Sequence, residues 1–229
     1  MLSASTPPDT PLDDELPTHT PSRLPTWLLI GLPALLLGIL LGALVGFRLA
    51  GGGDPAADST DVGFARDMSV HHEQAVQMAA LVYDRSADPA IRQLAFDILT
   101  TQQGQIGIMG GWLDAWGHDW TTTGPRMTWM GMAVEGLMPG MATPEQLAAL
   151  RAASGEAADA IFLQLMIPHH QAGTEMARAA ATDAAQAPVR ALAAGILEAQ
   201  ALEIDYMREL LAGKAPVTLP AAPADDHDH

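Results

Sequence analysis

Residues 64–113 align with residues 162–211 at a constant offset of 98 and without a gap. Sixteen of the fifty pairs are identical, where chance in so alanine-rich a chain gives about four. A duplicated chain has to build the same unit twice and bury one copy against the other. In the first copy Phe64, Met68, His71, Ala75, Met78 and Val82 recur at spacings of three and four, which places them on one face of a helix. Asp88 and Pro89 supply an N-cap and a first-turn proline for a second helix, with the stripe Ile91, Leu94, Ala95, Ile98, Gln102, Ile106 and Met109. Gly117 is placed to end it. The second copy repeats both stripes, through Phe162, Met166, His169, Gly173 and Met176, then Val189, Leu192, Ala193, Ile196, Gln200, Ile204 and Met207. Neither hairpin can bury its apolar face alone. Packing the two about a pseudo-two-fold axis predicts an all-α, four-helix bundle over residues 61–214.

The connection between the copies, residues 117–159, is too long for a simple turn and is expected to travel along the bundle. Thr143, Pro144, Glu145 and Gln146 read as a capping box, so a short helix is expected to run to about Ala152. Pro168 lies inside the third long helix, where it is expected to bend the chain just before His169. Outside the bundle, residues 1–23 and 215–229 are rich in proline and acidic residues and read as disordered tails; His227 and His229 belong to the second. Residues 27–47 are uncharged. At roughly 1.5 Å per residue they match a hydrocarbon layer of about 30 Å, so residues 24–49 are expected to be a transmembrane anchor. Processing near Ala50 would instead release the domain, and Arg23 and Arg48 balance across the span, leaving its orientation open. Residues 50–60 read as a linker.

The chain has 27 acidic against 11 basic residues and a net charge of −16, the opposite of a nucleic-acid footprint. With no cysteine, thiolate metal sites, iron–sulfur clusters and disulfides are excluded. Any metal here is held by His, Met or carboxylate. Met68, His71 and His72 lie three and four residues apart on one helix, and Met166, His169 and His170 repeat them, with Met78 and Met176 two turns further on. Burying several imidazoles costs free energy unless each finds a partner, and a bound cation satisfies several together. His72 and His170, rotated by about 100° from their neighbours, are expected nearer the helix edge, facing another helix or water. Thioether with imidazole suits copper, Cu(I) above all. For Met68, Met78, Met109 and their repeats Met166, Met176 and Met207, core packing is the competing reading. Gln102 and Gln200 either orient the rings or bond between helices. In the connection Met127, Met130, Met132, Met138 and Met141 either capture metal or cover the bundle end. Imidazole ligation is expected to fade below about pH 6.5, whereas a thioether has no proton to lose.

The strings HHEQAVQMA, MIPHHQAGTEMA and MPGMATPEQLAAL, with the closing Met109/Trp112–Leu113 and Met207/Leu210–Leu211 groups, resemble the bacterial family called domain of unknown function 305, over about residues 61–214. The resemblance implies a ferritin-like bundle, an extracytoplasmic location behind a signal or anchor and, for some members, copper binding and tolerance. The matching positions are His71, His72, His169, His170, Met68, Met78, Met166, Met176, Met138 and Met141; Leu210 departs from the pattern where the first copy has Trp112. The expected function is non-enzymatic copper buffering, tolerance or transfer at the outer face of the cell membrane, with no protein partner specified. A metal-free interaction module on a membrane stalk is the first alternative. A ferritin-type di-metal oxidase is the second, but it requires Glu-x-x-His pairs, and neither copy has one.

If residues 27–47 span a bilayer, the full chain stays with membranes through high-salt and carbonate washing. Release of an intact domain beginning near residue 50 would mean that the segment is cleaved.

Overall fold

A computed structural model describes residues 54–220, and the expected anchor at 24–49 lies outside them. Among the described residues no helix is long and apolar enough to cross a membrane. The described chain is all-helical. Helix α1, Thr60–Tyr83, starts at Ser59, whose hydroxyl accepts from the Val62 N–H. Helix α2, Pro89–Ala115, starts at Asp88, whose carboxylate takes the Ala90 N–H, with Pro89 in the first turn. It ends as expected: Gly117 is left-handed (φ 72°), and the His118 N–H reaches back to the Leu113 carbonyl at 2.9 Å.

The connection holds one 3-10 turn, Thr128–Met130, and helix α3, Pro144–Ala152. Thr143 and Gln146 form the reciprocal capping box read from the sequence. Helix α4, Gly155–Asp183, continues through Pro168 as one helix, and α5, Ala187–Ala212, completes the second hairpin.

Short turns make α1 with α2, and α4 with α5, antiparallel pairs; the pairs meet through α1 and α4. Apolar side chains gather in two separate clusters. One joins Ala75, Met78, Ile91 and Ile98 to Phe162, Met166 and Met207. The other joins Phe64, Met68, Met109 and Leu113 to Met176, Val189 and Ile196. The offset of 98 carries each cluster into the other: Phe64 answers Phe162, and Met78 answers Met176. The pseudo-two-fold axis therefore passes between them, through the level of the histidines.

The turn of the second hairpin is pinned directly by an aspartate of the first, and the turn of the first is reached from the second through a lysine. Buried Asp61 accepts the Ala185 and Gln186 N–H groups at 3.0 and 2.8 Å. Its counterpart Asp159 meets Lys214, which also holds Asp88 at 2.7 Å. Residues 215–220, read from the sequence as the start of a loose tail, instead run along the bundle. Val217 and Leu219 pack on the first cluster, and the Val217 and Pro220 carbonyls accept from Gln164 and Gln146.

The connection lies across α1 and α4. Asp67 accepts from the Met127 N–H at 2.7 Å and the Trp129 indole at 2.9 Å, fixing one part to α1. Gln74 fixes the next: its amide takes the Ala142 N–H at 2.6 Å and donates to the Ala142 carbonyl at 2.9 Å. Gly140, left-handed at φ 76°, then presses on α4, where an added Cβ would lie 2.5 Å from the Pro168 carbonyl oxygen and 3.1 Å from His169 Cα. Both the backbone conformation and the close approach require glycine. Gly140→Ala is expected to destabilise the protein by about 1–3 kcal/mol with helicity retained, read from urea unfolding. An unchanged midpoint would mean that the loop can lift from α4 at no cost.

Candidate metal centre

Between the two apolar clusters lie His71, His72, His169 and His170, each with no exposed surface. The rings of His71 and His169 stack where α1 meets α4, their centroids 3.8 Å apart, and His170 lies 6.2 Å from His169. His72 and His170 face another helix rather than water, the first of the two alternatives left by the sequence. Each turns toward the second helix of its own hairpin and is buried there, because a residue placed 33 positions later waits for it. His72 Nε2 is 2.8 Å from Gln105 Oε1, and His170 Nε2 is 2.7 Å from Glu203 Oε2.

These two partners are themselves related by the repeat offset, 105 to 203. Gln102 and Gln200 do not orient any ring: Gln102 Oε1 and both polar atoms of the Gln200 amide are buried without a partner. A scan for identical residues passes over positions 105 and 203 because one is Gln and the other Glu. The signal that would find them is position, one helical turn beyond Gln102 and Gln200, rather than identity.

The hydrogen bonds fix the chemistry of the ring nitrogens. The carbonyl oxygen of Pro139, 3.3 Å from His71 Nε2, is an acceptor only, as is the Glu203 carboxylate. Nε2 must therefore carry the proton in His71 and His170, and the same holds for His72 against the Gln105 amide oxygen. The lone pair is left on Nδ1, and Nδ1 of all four histidines is buried without a partner. In His169 neither ring nitrogen has one. Donor atoms of this kind are what a cation would satisfy.

Around this layer Met68, Met78, Met109, Met138, Met166, Met176 and Met207 are all buried, and Met141 is half-buried. Met138 and Met141 flank Pro139 and Gly140 in the segment that caps the histidines. Met127 is buried in the second cluster, while Met132 is exposed. Among the described residues no three His, Asp or Glu side chains converge as a complete metal-binding group.

Burial sets the protonation of the rings. Desolvation lowers His71 to about 4, against the Pro139 hydrogen bond, and lowers His72 to about 3. His169 is pushed well below the usual imidazole range by burial and by repulsion from the neighbouring rings, His71 foremost. His71, His72 and His169 are thus neutral donors at pH 7. The pH at which imidazole ligation should fade moves from about 6.5, expected from the sequence, down toward 4, because water has been removed from the rings.

A family model described as a domain of unknown function, DUF305, matches residues 61–211. The chain belongs to this family. A DUF305 protein from Streptomyces coelicolor is 45% identical with a TM-score of 0.67, covering 71% of this chain and 100% of that one. A DUF305 fragment from Deinococcus radiodurans is 31% identical with a TM-score of 0.56, over 67% of this chain and 95% of the fragment. CopM in its Cu(I)-bound form is 27% identical with a TM-score of 0.51, over 66% of this chain and 95% of CopM. CopM has also been solved with Cu(II), with silver and in the apo form. Protein L153 of Acanthamoeba polyphaga mimivirus is 39% identical over 54 residues, which span only 36% of that curated relative.

The depressed histidines make a stability prediction for the metal-free DUF305 domain. Unfolded imidazole takes its proton near 6.5, while folded His71 and His72 resist it until about 4 and about 3. Between those values the unfolded chain binds more protons, so their contribution is complete above about pH 6.5 and is lost as pH falls through the folded values. From pH 7.5 to pH 5 the unfolding free energy is expected to fall by about 2 kcal/mol for each of His71 and His72, measured with urea under chelation. A flat profile over that range would mean that water already reaches the rings.

Proposed function

We propose that this DUF305 domain is a non-enzymatic copper-binding module on a ferritin-like four-helix bundle, and that it takes Cu(I) as cargo at the extracytoplasmic face of a membrane. The observation that carries the reading is the set of four buried Nδ1 atoms without partners, three of them on rings whose other nitrogen is already tied by a hydrogen bond. A core histidine kept only for packing needs no such arrangement. Buried thioethers on both sides of the layer favour a soft monovalent ion, in line with the Cu(I)- and silver-bound forms of the relative CopM.

His71, His72, His169 and His170 would supply nitrogen. Sulfur would come from among Met68, Met78, Met109, Met138, Met141, Met166, Met176 and Met207. A ferritin-type oxidase is disfavoured by the donor set: Glu203 reaches His170, but its counterpart is Gln105. The metal-free interaction module keeps one supporting observation, the absence of a convergent His and carboxylate triad among the described residues.

Competition titration decides between them. The parent is expected to bind Cu(I) in preference to Zn(II). Replacing Met68 and Met166 together by Leu should weaken Cu(I) binding at least about tenfold at pH 7 and pH 5, while the fold loses less than about 1.5 kcal/mol per site. Undiminished affinity in the Leu variant would assign those two methionines to packing. A parent that prefers Zn(II), or takes up neither ion, would overturn the copper reading.

A further inference from the structure

Positions 105 and 203 do the same job in the two halves of the molecule. Each accepts a hydrogen bond from the Nε2–H of the second histidine in its own hairpin, at 2.8 and 2.7 Å, across the same separation of 33 residues. Geometry and tautomer are thus matched, and the difference between them is one of charge. Gln105 offers a neutral amide oxygen to His72. Glu203 offers a carboxylate to His170, and with a side chain 24% exposed it reaches from the aqueous edge to a ring with no exposed surface. An acceptor that only has to set the ring could be Gln in both copies.

A carboxylate behind an imidazole does two further things. It pushes electron density toward Nδ1, making that nitrogen a stronger donor, and it places a negative charge behind the ligand. Both effects favour a doubly charged, harder ion over a singly charged, softer one, because the attraction scales with the ion's charge. The amide behind His72 contributes neither.

We propose that Glu203 is a positioning and specificity-determining residue that makes the His170 half of the centre receptive to Cu(II), while the His72 half, backed by Gln105, remains selective for Cu(I). The inference rests on the copper reading above. It predicts that the two halves, alike in backbone and ligand type, differ in the oxidation state they hold.

The test uses the full chain in mild detergent, titrated separately with Cu(I) and Cu(II) against competing chelators, with the Cu(II) electron paramagnetic resonance spectrum as a second readout. Glu203→Gln keeps a hydrogen-bond acceptor and removes the charge. It is expected to lower Cu(II) affinity about 10- to 100-fold and to change the Cu(II) spectrum, while Cu(I) affinity changes less than about threefold. Gln105→Glu, which installs the charge on the other side, should raise Cu(II) affinity and add a second Cu(II) signal. That variant keeps the question decidable if Glu203→Gln fails to fold by circular dichroism. Equal losses for both ions in Glu203→Gln, or no change in either, would overturn the proposal while leaving copper binding intact. A parent that binds neither ion would overturn the copper reading itself, and this inference with it.

Discussion

The contact between His71 and His169, ring against ring at 3.8 Å, lies where the two hairpins meet. Water is excluded from these rings, and ring nitrogens left without partners in an apolar interior carry a desolvation cost. The polar layer persists because it is flanked by two apolar clusters, each drawing side chains from both hairpins. Around it the rest of the chain is arranged as a closure. The Pro139 carbonyl accepts a hydrogen bond from the His71 ring, Gly140 fits over the backbone beside His169, and Gln74 locks Ala142 onto α1. A segment that reads in the sequence as a methionine-rich connection is in the fold the cover of the histidine layer.

Stability and readiness to bind oppose each other at this layer. Replacing the imidazoles by hydrocarbon would join the two clusters into one continuous core, and such exchanges of buried polar groups often stabilise a fold. Keeping them leaves His71, His72 and His169 neutral, with their free ring nitrogens already in place. Asp61, which ties the turn of the opposite hairpin, holds one end of the bundle together where the centre contributes least. Lys214 does so at the other end by bridging Asp88 and Asp159.

The helices, the caps of α2 and α3 and the inward histidine stripe were legible in the sequence because each depends on spacing or on a local cap. The 3.6-residue period, Asp88 with Pro89, and the Thr143 and Gln146 box need no knowledge of the rest of the chain. What was not legible depends on contacts between distant segments. His72 and His170 lie about 100° from the inward stripe, and periodicity alone sends them toward the edge; only the position of Gln105 and Glu203 on the neighbouring helix brings them inside. Gln102 and Gln200 are identical across the repeat, yet that identity marks a shared environment and not a shared bond. Gln74 shows the converse, since its counterpart is Ala172 and its partner is a loop backbone that no periodicity marks. Burial also moved the histidines out of the pH range that an isolated imidazole would suggest.

The exchange of the two apolar clusters by the 98-residue offset has the form of an isologous dimer, with the histidine layer on its axis. In a true dimer of identical hairpins every substitution is made twice, so the centre could never be other than symmetric. Joining the halves in one polypeptide removes that restriction. Gln74 can clasp the cover on one side while Ala172 makes room for it on the other, and an amide can stand opposite a carboxylate. Covalent fusion thus turns a symmetric layer into one with a left and a right, whose two sides can be altered one at a time.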